Sequence, residues 1–244
     1  MPTEANPTLK RAGVSSSLLA LLAACGGGGG YAGSPAPPPP PPAPVCVATA
    51  PPPAPAPGAL APQVTLTIDN GAGVSGTLVV TLEPARAPLT VANFLNYVNS
   101  GFYNCTVFHR HGRTATLTAF VLQGGGYTGP VSSTARFPTP KPTNPPIALE
   151  VGRGLSNLRY SLAMARTDVL NSATSEFFIN TTDNAFLDTS GGGYAVFGNI
   201  TAGTAVVSAM VAATCNFSSA NFALGSPDCV PEPNLYITRA AQTR

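Results

Sequence analysis

Residues 63–69, "QVTLTID", and residues 73–84, "GVSGTLVVTLEP", decide how this 244-residue chain folds. The first alternates apolar and polar side chains with a period of two. The second repeats that alternation after a glycine turn, so the pair reads as a β-hairpin. Then the period changes. In "APLTVANFLNYVNSGFY" (87–103), Val91, Phe94, Leu95 and Val98 share one helical face, with Pro88 near the start, Thr90 as the cap and Gly101 as the stop. Strand-like pieces follow at "TVFHR" (106–110), "FVLQGG" (120–125), "YSLAMAR" (160–166), "EFFINT" (176–181) and "AVFGNIT" (195–201). A second helix is expected over about 203–212 and a closing strand at "NLYITRA" (234–240). Many short strands with only two helices predict a mainly β fold, a closed or nearly closed barrel.

Ahead of this domain (63–244) the composition is different. After a short polar start ending in Lys10-Arg11 comes the apolar run "VSSSLLALLAAC" (14–25) and then five glycines. The run is far short of the roughly 20 residues that span a bilayer, and it has the layout of a secretory signal over residues 1–24. Leu22-Ala23-Ala24-Cys25 resembles a bacterial lipobox, which makes Cys25 the expected lipidation site. Gly26 rather than an aspartate follows it, so retention at the inner membrane is not indicated, and the expected place is the periplasmic side of the cell envelope, at the outer membrane. Residues 25–62 are rich in glycine and proline and read as a disordered, polyproline-like tether. At about 3.1 Å per residue it reaches up to roughly 100 Å. Only 9% of residues are charged and the net charge is +2, so no basic stripe is available for nucleic acid.

The little charge there is gathers at "TVFHRHGR" (106–113), which holds both histidines and begins as a strand before, on this reading, ending in a glycine-broken loop. His109 and His111 supply only two metal ligands, and no cluster of Cys, Asp or Glu at ligand spacing completes a set, so neither metal nor cofactor is expected. No G-x-S-x-G elbow is present, and "GGGY" at 124–127 and 191–194 lacks the lysine and the strand-to-helix setting of a phosphate loop; both read as loops.

Taken together, "FHR" (108–110), "FVLQGGG" (120–126), "SLAMART" (161–167), "SATSEFFIN" (172–180), "FLD" (186–188) and "YAVFGNI" (194–200) resemble the cyclophilin-type peptidyl-prolyl isomerases, in the family's order and approximate spacing. The resemblance is greatest to the bacterial branch and covers roughly residues 63–242. It implies an eight-stranded antiparallel barrel capped by two helices, with an outer groove for X-Pro peptides, in a monomer acting on proline-containing segments of exported proteins. It implies that Arg110 is the catalytic residue and that Phe120, Val121, Phe178 and Leu187 form the proline pocket. Gln123 and the backbone at Ala165 and Arg166 would hold the flanking peptide groups, and His109, Phe186 and Tyr194 would line the groove. Without the resemblance, the apolar members of this set read simply as core.

Three departures from the family's pattern matter. The nine residues between Arg110 and Phe120, "HGRTATLTA", are more than is usual and read as an enlarged loop beside the groove. Phe186 stands where eukaryotic members carry a tryptophan that contacts cyclosporin. Glu176 stands where glutamine is common, and an acid there is expected to clamp Arg110 and draw its donors away from substrate. That leaves a second functional reading, a proline-peptide binding module with little turnover. Besides Cys25, four cysteines allow three disulfide pairings. Closing the loop between Cys215 and Cys229, about 15 residues, is worth roughly 3 kcal/mol, which favours that pair and leaves Cys46 with Cys105.

Overall fold

A computed structural model describes residues 46, 49–56, 58, 60–129, 139–216 and 227–244. The signal-like segment and Cys25 lie outside the described residues. Among the described residues the barrel and its caps are eight strands and two helices: β1 (Gln63–Asp69), β2 (Ser75–Leu82), α1 (Pro88–Asn99), β3 (Thr106–Arg113), β4 (Ala119–Thr128), β5 (Ser161–Met164), β6 (Phe177–Asn180), β7 (Val196–Ala202), α2 (Thr204–Ala212) and β8 (Leu235–Gln242). Every pairing is antiparallel. Around the circuit the order is β3-β8-β1-β2-β7-β5-β6-β4, and β4 pairs again with β3, so the barrel is closed and leaves no long open edge. Thr139–Pro140 adds a short ladder on β4.

Alternation builds the core. Val64, Leu66 and Ile68 of β1 and Leu78, Val80 and Leu82 of β2 point inward and are fully buried. Helix α1 adds Phe94, whose ring centroid lies 5.2 Å from Tyr103, 5.5 Å from Phe177 and 4.9 Å from Phe197. Of the expected helical face, Val91, Phe94 and Val98 are buried, while Leu95 is half-buried and Tyr97 takes part in the core instead.

Thr90 does not cap α1. The cap position is Ala87, which supplies no side-chain bond. The exposed end of the helix is satisfied from a distance: the buried Glu150 carboxylate accepts from Thr90 N at 2.8 Å and from Thr90 Oγ1 at 2.9 Å, a charge-assisted arrangement suited to the positive end of a helix.

Two expected loops are strand. Gly112 does not break β3, which continues to Arg113 and pairs with β4 through His111–Leu122 and Gly112–Val121. The segment 111–119 is therefore an extended hairpin with a tight Thr114–Thr118 turn. Glycine is needed at 112 because a Cβ there would stand 2.6 Å from Val121 Cγ2 and 3.2 Å from the Phe120 ring. Likewise Gly124–Tyr127 lie within β4, where a Cβ on Gly126 would meet Glu176 Cγ at 2.6 Å.

Disulfides join Cys46 to Cys105 and Cys215 to Cys229, the two pairs chosen from the sequence. The first fastens the proline-rich segment, at Cys46 within it, to the barrel. Asn104 strengthens the attachment by donating to Thr49 O at 3.1 Å, and its own side-chain oxygen accepts from Ala240 N at 2.8 Å. From Cys46 onward, then, the described part of the expected tether is covalently held.

Candidate active site

Register creates the site. Arg110 on β3 stands opposite Gln123 on β4, Gln123 opposite Phe178 on β6, and Phe178 opposite Ala163 on β5. Their neighbours Leu122, Phe177 and Ile179 point into the core, so period-two alternation turns this row outward. A groove of about 240 Å³ lies over it, lined by Arg110, Phe120, Val121, Gln123, Ala165, Arg166, Phe178, Phe186, Leu187 and Tyr194.

One wall is apolar. Val121, Ala163, Phe178, Leu187 and Val196 form a buried cluster, with Phe120, Ala165 and Tyr194 packed against it. The Phe178 and Tyr194 rings meet edge to face at 5.6 Å, while Phe186 leaves 58% of its surface exposed at the rim. Such a concavity suits a compact apolar ring. Arg166 edges it, donating through Nε to Gly193 O at 3.0 Å and through an NH2 group to Gly191 O at 2.6 Å, with its guanidinium carbon 4.7 Å from the centre of the Tyr194 ring.

The wall is backed by a buried polar network that the sequence reading did not single out. Asn184 donates to Phe120 O at 2.7 Å and to Asn180 Oδ1 at 2.8 Å, and Asn180 donates to Asn157 Oδ1 at 3.1 Å and Ser161 Oγ at 2.9 Å. Asn157 in turn donates to Asp188 Oδ1 at 2.8 Å, which ties the one-turn helix Ala185–Asp188, carrier of Phe186 and Leu187, to the barrel. Burial alone would raise the Asp188 carboxyl, but the hydrogen bonds it accepts from Ser156 and Asn157 outweigh it and hold the group below its ordinary range. The available signal was a run of asparagines at strand ends and turns, which local periodicity does not interpret.

The other wall is polar. Arg110 donates through NH1 to Gln123 Oε1 at 2.9 Å and through Nε to Asp228 Oδ2 at 2.6 Å. Gln123 then donates to Glu176 Oε2 at 2.9 Å, and His109 Nε2 lies 3.2 Å from that same oxygen. Burial alone would raise the Glu176 carboxyl, but the bonds from His109 and Gln123 and the charge of His109 outweigh it and hold the carboxyl below its ordinary value. The order of contacts corrects two expectations. Glu176 meets Gln123 rather than clamping the guanidinium, and the acid on Arg110 is Asp228. His109 does not line the groove: it is 4% exposed and sits behind Gln123, its ring 4.8 Å from that of Tyr127. The β3–β4 register is irregular between Phe108 and Arg110, and His109 at that point is covered by Glu176 and Tyr127 rather than open to the groove.

Beyond Arg110, His111 is 1% exposed and neither ring nitrogen has a hydrogen-bond partner among the described residues. Burial, reinforced by the nearby Arg113 charge and only partly opposed by Asp228, pushes its pKa down to about 4. Its ring lies near both sulfurs of Cys215 and Cys229, all within 4.8 Å of one another, but those sulfurs are bonded to each other and are not available as thiolate ligands.

The family model described as cyclophilin type peptidyl-prolyl cis-trans isomerase/CLD matches residues 64–240. Peptidyl-prolyl cis-trans isomerase A of Dickeya dadantii is 46% identical over 134 residues, which is 54% of this chain and 64% of that protein, just under two thirds of its length. A peptidyl-prolyl cis-trans isomerase of Streptomyces antibioticus is 45% identical over 141 residues, 56% of this chain and 78% of the relative. Isomerase B of Escherichia coli is 42% identical over 137 residues, 54% and 76% of the two chains. A crystal structure of a Cryptosporidium parvum cyclophilin type isomerase, 21% identical, superposes with a TM-score of 0.56 over 75% of this chain and 98% of its own, a likeness of fold. Closed barrel, outward groove and family match agree: the chain belongs to the cyclophilin-type peptidyl-prolyl cis-trans isomerases.

Proposed function

We propose that this chain is an exported, lipid-anchored prolyl isomerase that accelerates X-Pro rotation in proline-containing segments of envelope proteins, with Arg110 as its catalytic residue. Rotating an X-Pro bond breaks amide resonance, a barrier of about 20 kcal/mol, yet makes and cleaves no bond. In the twisted state the prolyl nitrogen turns pyramidal and exposes a lone pair. A fixed cationic donor aimed there stabilises the transition state more than the planar ground state. The observation that carries this reading is the pairing of Arg110, held by Gln123, with the apolar wall around Phe178 across one groove. The wall seats the proline ring, and the polar side meets the nitrogen and the flanking peptide. No group in this scheme needs to titrate.

Export is supported by two disulfides, which persist in oxidising compartments, together with the lipobox-like Leu22–Cys25. Among the described residues no helix is long and apolar enough to cross a membrane. Attachment in this scheme is through lipid at Cys25, with the barrel a monomer on the periplasmic side of the outer membrane. Cys25→Ala is expected to release the protein from membrane fractions, and retention would reject the anchor.

A second reading, a proline-peptide binder with little turnover, is favoured by the Asp228 carboxylate that partly neutralises Arg110. A protease-coupled isomerisation assay on a short Ala-Pro peptide separates the two. The isomerase reading predicts acceleration at catalytic enzyme concentrations; binding without acceleration would establish the module instead.

A further inference from the structure

We propose that Asp228 is a positioning residue for Arg110 and that the Cys215–Cys229 disulfide braces it there, an inference that rests on Arg110 being the donor to the prolyl nitrogen. Asp228 reaches β3 from the far end of the chain, 118 positions away, and its carboxylate binds that strand at two points. Oδ2 accepts from Arg110 Nε at 2.6 Å, and Oδ1 accepts from the backbone N–H of Arg113 at 2.9 Å. The carboxylate is mostly buried, 14% exposed, which strengthens both contacts.

What fixes Asp228 is the next residue. Cys229 forms a two-way backbone bridge with His111: His111 N–H donates to Cys229 O at 2.8 Å and Cys229 N–H donates to His111 O at 3.2 Å. Its sulfur is joined to Cys215, which follows α2 and pairs in a short ladder, Cys215–Asn216 with Val230–Pro231. The carboxylate is thus set by a covalent link and a local ladder rather than by its own flexible side chain.

The geometry favours orientation over neutralisation. A guanidinium has five N–H donors. Asp228 takes the single Nε–H and Gln123 takes one NH1 hydrogen, so the plane of the group is held at two corners while both NH2 hydrogens and one NH1 hydrogen remain for a substrate. Removing Asp228 leaves Gln123 as the sole hydrogen-bonding hold, among the described residues, on a long, rotamer-rich side chain.

The test is a double-mutant cycle on the full chain, measuring kcat and KM for the Ala-Pro peptide. Asp228→Ala is expected to lower kcat about tenfold with KM changed less than about twofold. In an Arg110→Ala background the same substitution is expected to cost nothing further, whereas a merely structural role would add its loss in both backgrounds. Unchanged or raised kcat in Asp228→Ala with Arg110 intact would overturn the positioning role. If Arg110→Ala itself left kcat unchanged, the catalytic reading would fail and this inference with it, a result distinct from failure at Asp228 alone. Should Asp228→Ala lack a cooperative melt, Asp228→Asn takes its place in the cycle, with an expected loss of about threefold and the same criteria. The brace is tested by replacing Cys215 and Cys229 together with serine, leaving Cys46–Cys105 closed. Lower kcat at unchanged KM is expected, and wild-type kcat would overturn the bracing.

Discussion

The two walls of the groove are built by different means. Phe120, Val121, Phe178 and Leu187 on the apolar wall are set by backbone ladders and a one-turn helix, and each packs into a buried cluster. Arg110 on the polar wall is set by side-chain bonds to Gln123 and Asp228, the second of which arrives from a disulfide-closed segment. A wall made by alternation is stiff and costs the fold dearly when cut. A wall made by side chains can lose a partner while the barrel stands. Substitutions on the apolar side should therefore be read first in stability, and those on the polar side in rate.

The largest stability effect is expected on the apolar side. Phe178, 5% exposed, loses its contacts with Tyr194 and the β4–β6 surface on truncation, and Phe178→Ala should destabilise the chain by about 4 kcal/mol, seen as a lower denaturation midpoint at unchanged slope. A loss under about 1 kcal/mol would mean that this wall is not part of the packed fold.

Acid offers the next cut, and it falls behind the polar wall. His111 has a folded pKa of about 4 against about 6.5 unfolded, so the stability of its neutral form is complete above about 6.5 and is lost as the pH falls from there towards 4, because only the unfolded chain takes up the proton. The loss reaches up to about 3 kcal/mol. Glu176, with its carboxyl depressed, contributes in the same direction as pH falls through that lowered value. Denaturation midpoints between pH 7 and 4.5 measure the His111 contribution, because the Glu176 loss falls at lower pH, and His111→Leu should flatten the curve. An unaltered pH dependence in that variant would place the origin elsewhere.

The smallest effect is expected at Glu176. Since its carboxylate accepts from Gln123 and lies one bond away from Arg110, a glutamine can accept the same hydrogen, and Glu176→Gln should change kcat/KM by less than about twofold. A several-fold rise would mean that Glu176 competes for the arginine after all.

The same contrast explains what the sequence made legible. Alternation in "QVTLTID" and "EFFINT" gave the strands, because that choice depends on neighbours two residues apart, but it was the resemblance that put Phe178 in the groove, where it lies while Phe177 packs in the core. The end of the β3 strand was harder: Gly112 looks like a breaker locally, yet it is required by the close approach of Val121 and Phe120 from the next strand. The helix cap was misread for a similar reason. Thr90 has the right chemistry in the right place, but Glu150, 60 positions away, does the work. Assigning the acid on Arg110 to Glu176 followed from strand alternation, which does put Glu176 on the groove side. Alternation could not weigh Gln123 standing between them or Asp228 arriving across 118 positions. The one available clue was an aspartate directly before a disulfide cysteine in a chain with only ten acidic residues.

The central claim is that a held guanidinium, rather than a titrating base, turns the prolyl bond. Its most direct test is the Ala-Pro isomerisation assay on Arg110→Ala, run beside wild type at pH 6, 7 and 8. Removing one preorganised donor of this kind should lower kcat by roughly 100-fold or more while the variant keeps its melting behaviour, and the wild-type rate should stay level across that range. An Arg110→Ala chain that turns over like wild type, or a wild-type rate that follows a histidine-like titration near about 6.5, would contradict the account.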